Sequence, residues 1–173
     1  MRLHVPITLR WADLDAYGHV NNAVMLRLLE EARIQAFWKD PDAALAGTQP
    51  AGGAPASGDE PAPAVPTAVL DAEAGSATWS LIARQEIEYL APIPYLRRPL
   101  DIQLWIGRLG GASLEVCYEV WSPRGQSPAV LYARASTTVV VVDSATQRPR
   151  RLTDDERAAW SPYLEAAPAF SRR

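Results

Sequence analysis

The chain is poor in cysteine, close to neutral and without a long apolar run, and each shortage excludes something. Cys117 is the only cysteine, so no intrachain disulfide can form, and a lone cysteine fits a reducing compartment. The net charge of −3 carries no basic bias toward nucleic acid. No stretch is long and apolar enough to span a bilayer. The opening residues, MRLHVPITLRW, carry Arg2, His4 and Arg10 and lack the continuous apolar segment of a signal peptide. The expectation is a soluble cytoplasmic protein with neither nucleic acid nor membrane as partner. The chain also lacks a serine-nucleophile motif, a His/Cys metal spacing and a glycine-rich phosphate loop. What is present is ordinary globular usage: 173 residues, 48% hydrophobic and 21% charged, enough for one domain with one sizeable core.

Residues 3 to 11 alternate, with Leu3, Val5, Ile7, Leu9 and Trp11 on one face, which predicts a strand. Pro6 cannot donate to a ladder and places that strand at an edge. A turn around Gly18 follows, then a helix from Asn22 to Trp38. Met25, Leu28, Leu29, Ala32 and Ala36 form its apolar stripe. The pairs Arg27/Glu31 and Glu30/Arg33 have the spacing of a solvated helix surface. Residues 40 to 75 are rich in Ala, Pro and Gly, bury too little to offset ordering, and read as a flexible insertion. It is no domain boundary, because neither flank could fold alone.

Four strand-like segments come next, at 78–90, 99–110, 113–122 and 129–143. Pro92 and Pro94 mark a longer connection. The turn signals Gly110-Gly111 and Arg124-Gly125-Gln126 make the last three an antiparallel meander. Trp79, Trp105 and Trp121 sit within these strands as packing residues. Thr153 and Glu156 form a capping box for a short C-terminal helix, with Trp160 and Tyr163 free to pack back. The sum is an α+β layer architecture, one helix on one antiparallel sheet.

The segment RWADLDAYGHVNNAVMLRLLEEARIQAFW, residues 10 to 38, carries the chemistry. A helix start holds unsatisfied N–H groups and partial positive charge, which favour an oxygen gaining negative charge. With Asn21 as the cap, its side chain reaches the second or third N–H and leaves that of Asn22 free. Gly18 permits the sharp turn that brings Asp13 and Asp15 back across the helix start. Two residues apart, they point to opposite sides, so only one can face it. A thiol, with a pKa of roughly 8.5, leaves with little protonation, so one carboxylate plus an oxyanion donor suffices for a thioester. Taken alone, the cluster also fits ordinary helix capping, and His19 also fits a hydrogen-bonded turn residue.

The string DLDAYGHVNNAV, the long helix after it and the strand order resemble the hotdog-fold acyl-CoA thioesterases, specifically the 4-hydroxybenzoyl-CoA thioesterase-like group. The resemblance covers the chain except the 40–75 insertion. It implies a five-stranded antiparallel sheet wrapped around one long central helix, in a homodimer or homotetramer whose dimers join sheets edge to edge. It implies hydrolysis of an acyl-CoA at sites between subunits, with no metal or cofactor beyond the coenzyme A of the substrate. Asp15 maps onto the catalytic carboxylate, nucleophile or general base, and the Asn22 N–H onto the oxyanion contact, with Gly18 and His19 beside them. The runner-up for the carboxylate is a residue across the interface, not Asp13. An acyl-carrier-protein thioesterase and a non-catalytic acyl-CoA-binding protein are the rivals on this fold. The insertion, and Met25 where many members place an aromatic nearby, leave the acyl group open.

Asn21, Arg97, Arg98, Arg108 and Ser113 complete the candidate substrate contacts. The arginines suit bidentate contact with the phosphates of coenzyme A. They equally fit solvated strand ends, and Ser113 equally fits turn closure. Glu30 and Glu31 read as surface charges on the helix, with a second catalytic carboxylate among them the lesser alternative.

Overall fold

A computed structural model describes residues 1–39, 65–71 and 75–171. In chain order the elements are β1 (Leu3–Ile7), α1 (Asn22–Phe37), β2 (Thr78–Tyr89), β3 (Leu100–Leu109), β4 (Ser113–Trp121), β5 (Leu131–Asp143) and α2 (Asp154–Trp160). Single turns of 3₁₀ helix lie at Trp11–Asp13 and Ser161–Tyr163. The strands form one antiparallel sheet in the order β1-β3-β4-β5-β2, so the expected meander is its middle.

Alternation sorts the strands into two faces. The inner face carries Val5 and Ile7 of β1, Ile102 and Leu104 of β3, Val116 and Tyr118 of β4, and Ala133 and Ala135 of β5. All join one core cluster with Met25, Leu28, Leu29, Ala32 and Phe37 of α1. The helix packs over β1 and β3. The inner face of β2 is therefore left partly open, with Ile82 42% and Tyr89 52% exposed. On the outer face, Trp105 is buried under the chain end. Its Nε1 donates to the Ala166 carbonyl at 3.0 Å, and the Arg2 guanidinium lies 3.9 Å from its ring centre. No helix among the described residues is long and apolar enough to cross a membrane.

Three expectations change. The first strand ends at Ile7, not Trp11, because Asp13 folds back onto the Arg10 N–H and turns the chain into a 3₁₀ helix; Trp11 points outward. Arg33 is not on a solvated surface but only 3% exposed, its Nη1 donating to the Tyr118 hydroxyl at 3.0 Å. Residues 65–71 lie on the helix end, which narrows the expected insertion. The Thr67 hydroxyl donates to the Ala36 carbonyl at 2.5 Å, Leu70 N–H to the Phe37 carbonyl at 3.0 Å, and Trp160 Nε1 to the Thr67 carbonyl at 3.0 Å. Hydrogen bonds to Ala36, Phe37 and Trp160 hold this piece and Leu70 joins the core, neither of which the Ala/Pro/Gly-rich composition signalled. The rest of the insertion, 40–64 and 72–74, lies outside the described residues.

Candidate active site

The segment between β1 and α1 sends its two aspartates to different places. Asp13 is 1% exposed and its carboxylate is taken up by Arg10: backbone N–H to Oδ2 at 2.7 Å, Nη2 to Oδ1 at 2.7 Å and Nε to Oδ1 at 3.1 Å. That hydrogen-bonded guanidinium holds the Asp13 carboxyl below the usual carboxylate range. The Asp13 carbonyl accepts the Asn21 N–H at 2.9 Å, which fixes the distance between this turn and the helix start. Asp13 is thus a structural carboxylate.

Asp15 opens the next turn. Its Oδ1 accepts the N–H groups of Tyr17 at 2.8 Å and His19 at 3.1 Å, an Asx turn closed by the Gly18 N–H on the Asp15 carbonyl at 3.1 Å. Gly18 has φ +77°, a left-handed conformation that a side chain would strain. Asp15 Oδ2 has no hydrogen-bond partner among the described residues. The carboxylate is therefore oriented through one oxygen and free at the other.

Asn21 caps α1 as expected, its Oδ1 accepting the Ala23 N–H at 2.9 Å. The Asn22 side-chain oxygen accepts the same N–H at 2.9 Å. The Asn22 N–H donates to nothing among the described residues, so the first donor of the helix is left over, as helix-end geometry requires. A cavity of about 430 Å³ brings Asp15, His19 and Asn22 together with Met25 of α1, Tyr89 at the end of β2, and the following residues through Ile93. The connection after β2 is held there by the Val20 N–H, which donates to the Ile93 carbonyl at 2.9 Å. Tyr89 donates its hydroxyl to the Asn22 carbonyl at 3.1 Å, pinning the strand end to the helix start. Burial raises the Tyr89 phenol above its usual range, which keeps it a neutral donor.

The other sequence candidates lie apart from this cavity. Asn21 serves the cap and is not in its wall. Arg97 and Arg98 are exposed on the connection that continues from it, and Arg98 donates to the Arg124 carbonyl. Arg108 and Ser113 flank the β3–β4 turn. Arg108 shares a register row with Glu115, Thr138 and Arg84, five strand residues or roughly 17 Å from the Tyr89 row. The Ser113 carbonyl accepts the Gly110 N–H at 2.7 Å and closes that turn. Tyr89 and the Leu90–Ile93 wall went unread in the sequence. Alternation in β2 places Gln85, Ile87 and Tyr89 on one face, but only the sheet order puts that face beside the helix start. No group of three His, Cys, Asp or Glu residues among those described is arranged to hold a metal.

A family model, the thioesterase-like superfamily, matches residues 9–167. No curated protein matches the chain. Among solved structures, a predicted thioesterase from Bacillus stearothermophilus aligns with a TM-score of 0.65 at 19% identity, covering 97% of this chain and 100% of that one. The PA5185 protein of Pseudomonas aeruginosa aligns with a TM-score of 0.65 at 21% identity, covering 96% and 94%. A thioesterase from Thermus thermophilus, complexed with coenzyme A and Zn, aligns with a TM-score of 0.57 at 25% identity, covering 94% and 92%.

Proposed function

Because the chain belongs to the thioesterase-like superfamily, we propose that it hydrolyses an acyl-CoA thioester to a carboxylic acid and coenzyme A, with Asp15 as the reacting carboxylate. The observation that carries this reading is the shared cavity. It joins a carboxylate with one free oxygen to the start of a helix whose first N–H is unfilled. Coenzyme A as the thiol carrier is supported by the Thermus relative, whose structure holds it. The substrate then brings its own coenzyme, and no metal or further cofactor is called on.

Two routes fit the same atoms. Asp15 takes a proton from water as the water oxygen bonds the thioester carbon. Alternatively, Asp15 Oδ2 bonds that carbon, and water then cleaves the mixed anhydride. In both, the carbonyl oxygen gains charge and is met by the Asn22 N–H. The C–S bond breaks as the tetrahedral centre collapses, in the anhydride route before water attacks. The thiolate leaves with a proton from Asp15 in the general-base route and from solvent in the other. His19 and Gly18 shape the turn that aims Asp15. Arg97 and Arg98, on the connection leading away from the cavity, are better placed for the phosphates of coenzyme A than Arg108.

The open edge of β2 supports a homodimer or a higher homo-oligomer built on it. That strand has one neighbour, β5, and exposes Trp79, Leu81, Ile82 and Tyr89. An unpaired edge with apolar side chains is a template for a second strand. Since Tyr89 is in the cavity wall, a partner on that edge would complete the site.

The test is thiol release from acyl-CoAs by wild type, Asp15→Asn and Asn22→Pro. Proline at the first helical position is tolerated, and Asn21 already has the extended φ −63°, ψ 138° that proline demands of its predecessor. Asn22→Pro thus removes the oxyanion donor and keeps the helix. The expected loss in kcat is roughly 10²-fold. Near-wild-type turnover by Asp15→Asn would sink the assignment. Release only from carrier-protein thioesters would replace the substrate, and tight acyl-CoA binding without release would make this a binding protein.

A further inference from the structure

Arg33 is the least explained charge in the core. It is 3% exposed, and among the described residues its Nη1 meets only a neutral hydroxyl, that of Tyr118. Its Nη2 lies 3.7 Å from Oε1 of the exposed Glu30, too long for a hydrogen bond. Its Nε is buried and has no partner among the described residues. Among the described residues, the Nε–Nη2 edge, the side of a guanidinium that takes a carboxylate through two parallel bonds, is therefore unfilled. A buried cation paired this poorly destabilises the fold, and a methionine of similar volume would pack there at less cost.

Its surroundings suggest what the charge is for. Arg33, Glu30, Ile34 and Trp38 of α1 face Ser80 and Ile82 of β2 across a second cavity of about 210 Å³. The Asp15 cavity lies between the other ends of the same two elements, at Asn22 and Tyr89. Both cavities are lined by α1 and β2, whose inner face the helix leaves partly open. Arg33 follows Asn22 by three helical turns, roughly 16 Å of rise, and returns to nearly the same helix face. Its side chain leans back toward the helix start. Tyr118, which it bonds, shares a register row with Ala135 and Ile87, one inner-face step or about 7 Å from the Tyr89 row. Along the helix the guanidinium thus stands within roughly 16 Å of the Asn22 N–H.

We propose that Arg33 binds a carboxylate at the far end of the acyl chain, so that the preferred substrates are thioesters of dicarboxylic acids. The inference rests on the thioesterase reading. The chain lies between α1 and β2 from Asn22, and its terminal carboxylate displaces Glu30 from the guanidinium edge. Glu30 is 56% exposed and 3.7 Å away, so it holds that edge weakly and the exchange costs little.

The test compares two series of CoA thioesters of equal acyl length, one ending in methyl and the other in carboxylate, with wild type, Arg33→Met and Arg33→Lys. At one chain length, wild-type kcat/KM is expected to favour the carboxylate-ended chain by about tenfold or more, the size of one hydrogen bond to a charged group. Arg33→Met abolishes the preference, and Arg33→Lys keeps part of it, having the charge but not the fork. A wild-type preference for methyl-ended chains at every length overturns the proposal. So does a ratio that Arg33→Met leaves unchanged; if that variant is also monomeric where the wild type is not, the arginine belongs to a seam between copies. Calorimetry with non-hydrolysable thioether analogues of both series separates the two readings. Carboxylate preference in binding without hydrolysis keeps the Arg33 site and rejects the catalytic assignment. Hydrolysis of both series without preference does the reverse, and binding of neither overturns both.

Discussion

Val5 and Ile7 on β1 are buried beneath α1, whereas Ile82 and Tyr89, facing the same side from β2, stand half open. The helix covers one side of the sheet and stops short of the other, and the residues follow that division. On the covered side, alternation fills the inner face with aliphatic side chains, and the Asp13 carboxylate is consumed by Arg10. On the open side the inner face turns polar. Ser80, Gln85 and Thr137 lie along it, and Gln85 Nε2 donates to the Thr137 hydroxyl at 3.4 Å. The carboxylate at that end, Asp15, keeps an oxygen free. One side of the sheet supplies stability and the other supplies space beside reactive groups.

The sharpest way to break this comparison is to remove each aspartate in turn. Asp15→Asn is expected to lower kcat/KM by roughly 10³-fold, within the usual range for a lost acid–base group, with little change in Tm. Asp13→Asn is expected to do the opposite, lowering stability by about 1 kcal/mol through the lost cap while kcat stays close to wild type. Thiol-release kinetics and thermal melts on the same two proteins decide it, and a catalytic loss in Asp13→Asn equal to that of Asp15→Asn would erase the distinction.

The open edge is tested next. Leu81 is exposed on β2, and a lysine there blocks strand addition. Sedimentation is expected to show wild type as a dimer or larger and Leu81→Lys as a monomer with reduced hydrolysis. A monomeric wild type would rule the edge out as an interface.

The smallest expected effect is acid sensitivity of the two buried structural carboxylates, Asp13 and Glu156. Arg10 holds the Asp13 carboxyl low. Burial would raise the Glu156 carboxyl, but the Arg150 ion pair at 2.5 Å and the Thr153 N–H at 2.8 Å outweigh it and also hold it low. A carboxyl lowered in the folded state contributes stability that is complete above its unfolded value, near 4. That stability is lost as pH falls through the lower folded value. Melting temperature is therefore expected to drop below about pH 4, and Glu156→Gln to flatten that drop. A variant with an unchanged acid profile would assign the loss elsewhere.

Much of the hotdog sheet was legible because local patterns have local causes. Period-two alternation marked β1, strand-like runs marked the other four strands, two glycine turns set the β3–β4–β5 meander, and Thr153 with Glu156 announced α2 through a capping box that the structure contains. The helix bounds and the Asn21 cap were readable from the same short-range chemistry. The failures share another cause. Glu30 and Arg33 have the spacing of a surface pair, and spacing does not say that the surface turns inward at Arg33. Thr67 and Leu70 sit in a composition that argues against order, yet two backbone bonds to the end of α1 hold Leu70 there. In the site, spacing limited the choice to one of two aspartates, since neighbours two apart diverge, and only the family resemblance pointed to Asp15.

By itself, then, the sequence determined the elements, their caps and the motif, all set by interactions within a few residues. The tertiary structure decided that β2 lies at the far edge beside β5, that the helix leaves its inner face open, and that the end of β2 meets the helix start. Those outcomes depend on contacts between residues tens of positions apart. Only the folded sheet, with Tyr89 against the carbonyl of Asn22, brings them into one place.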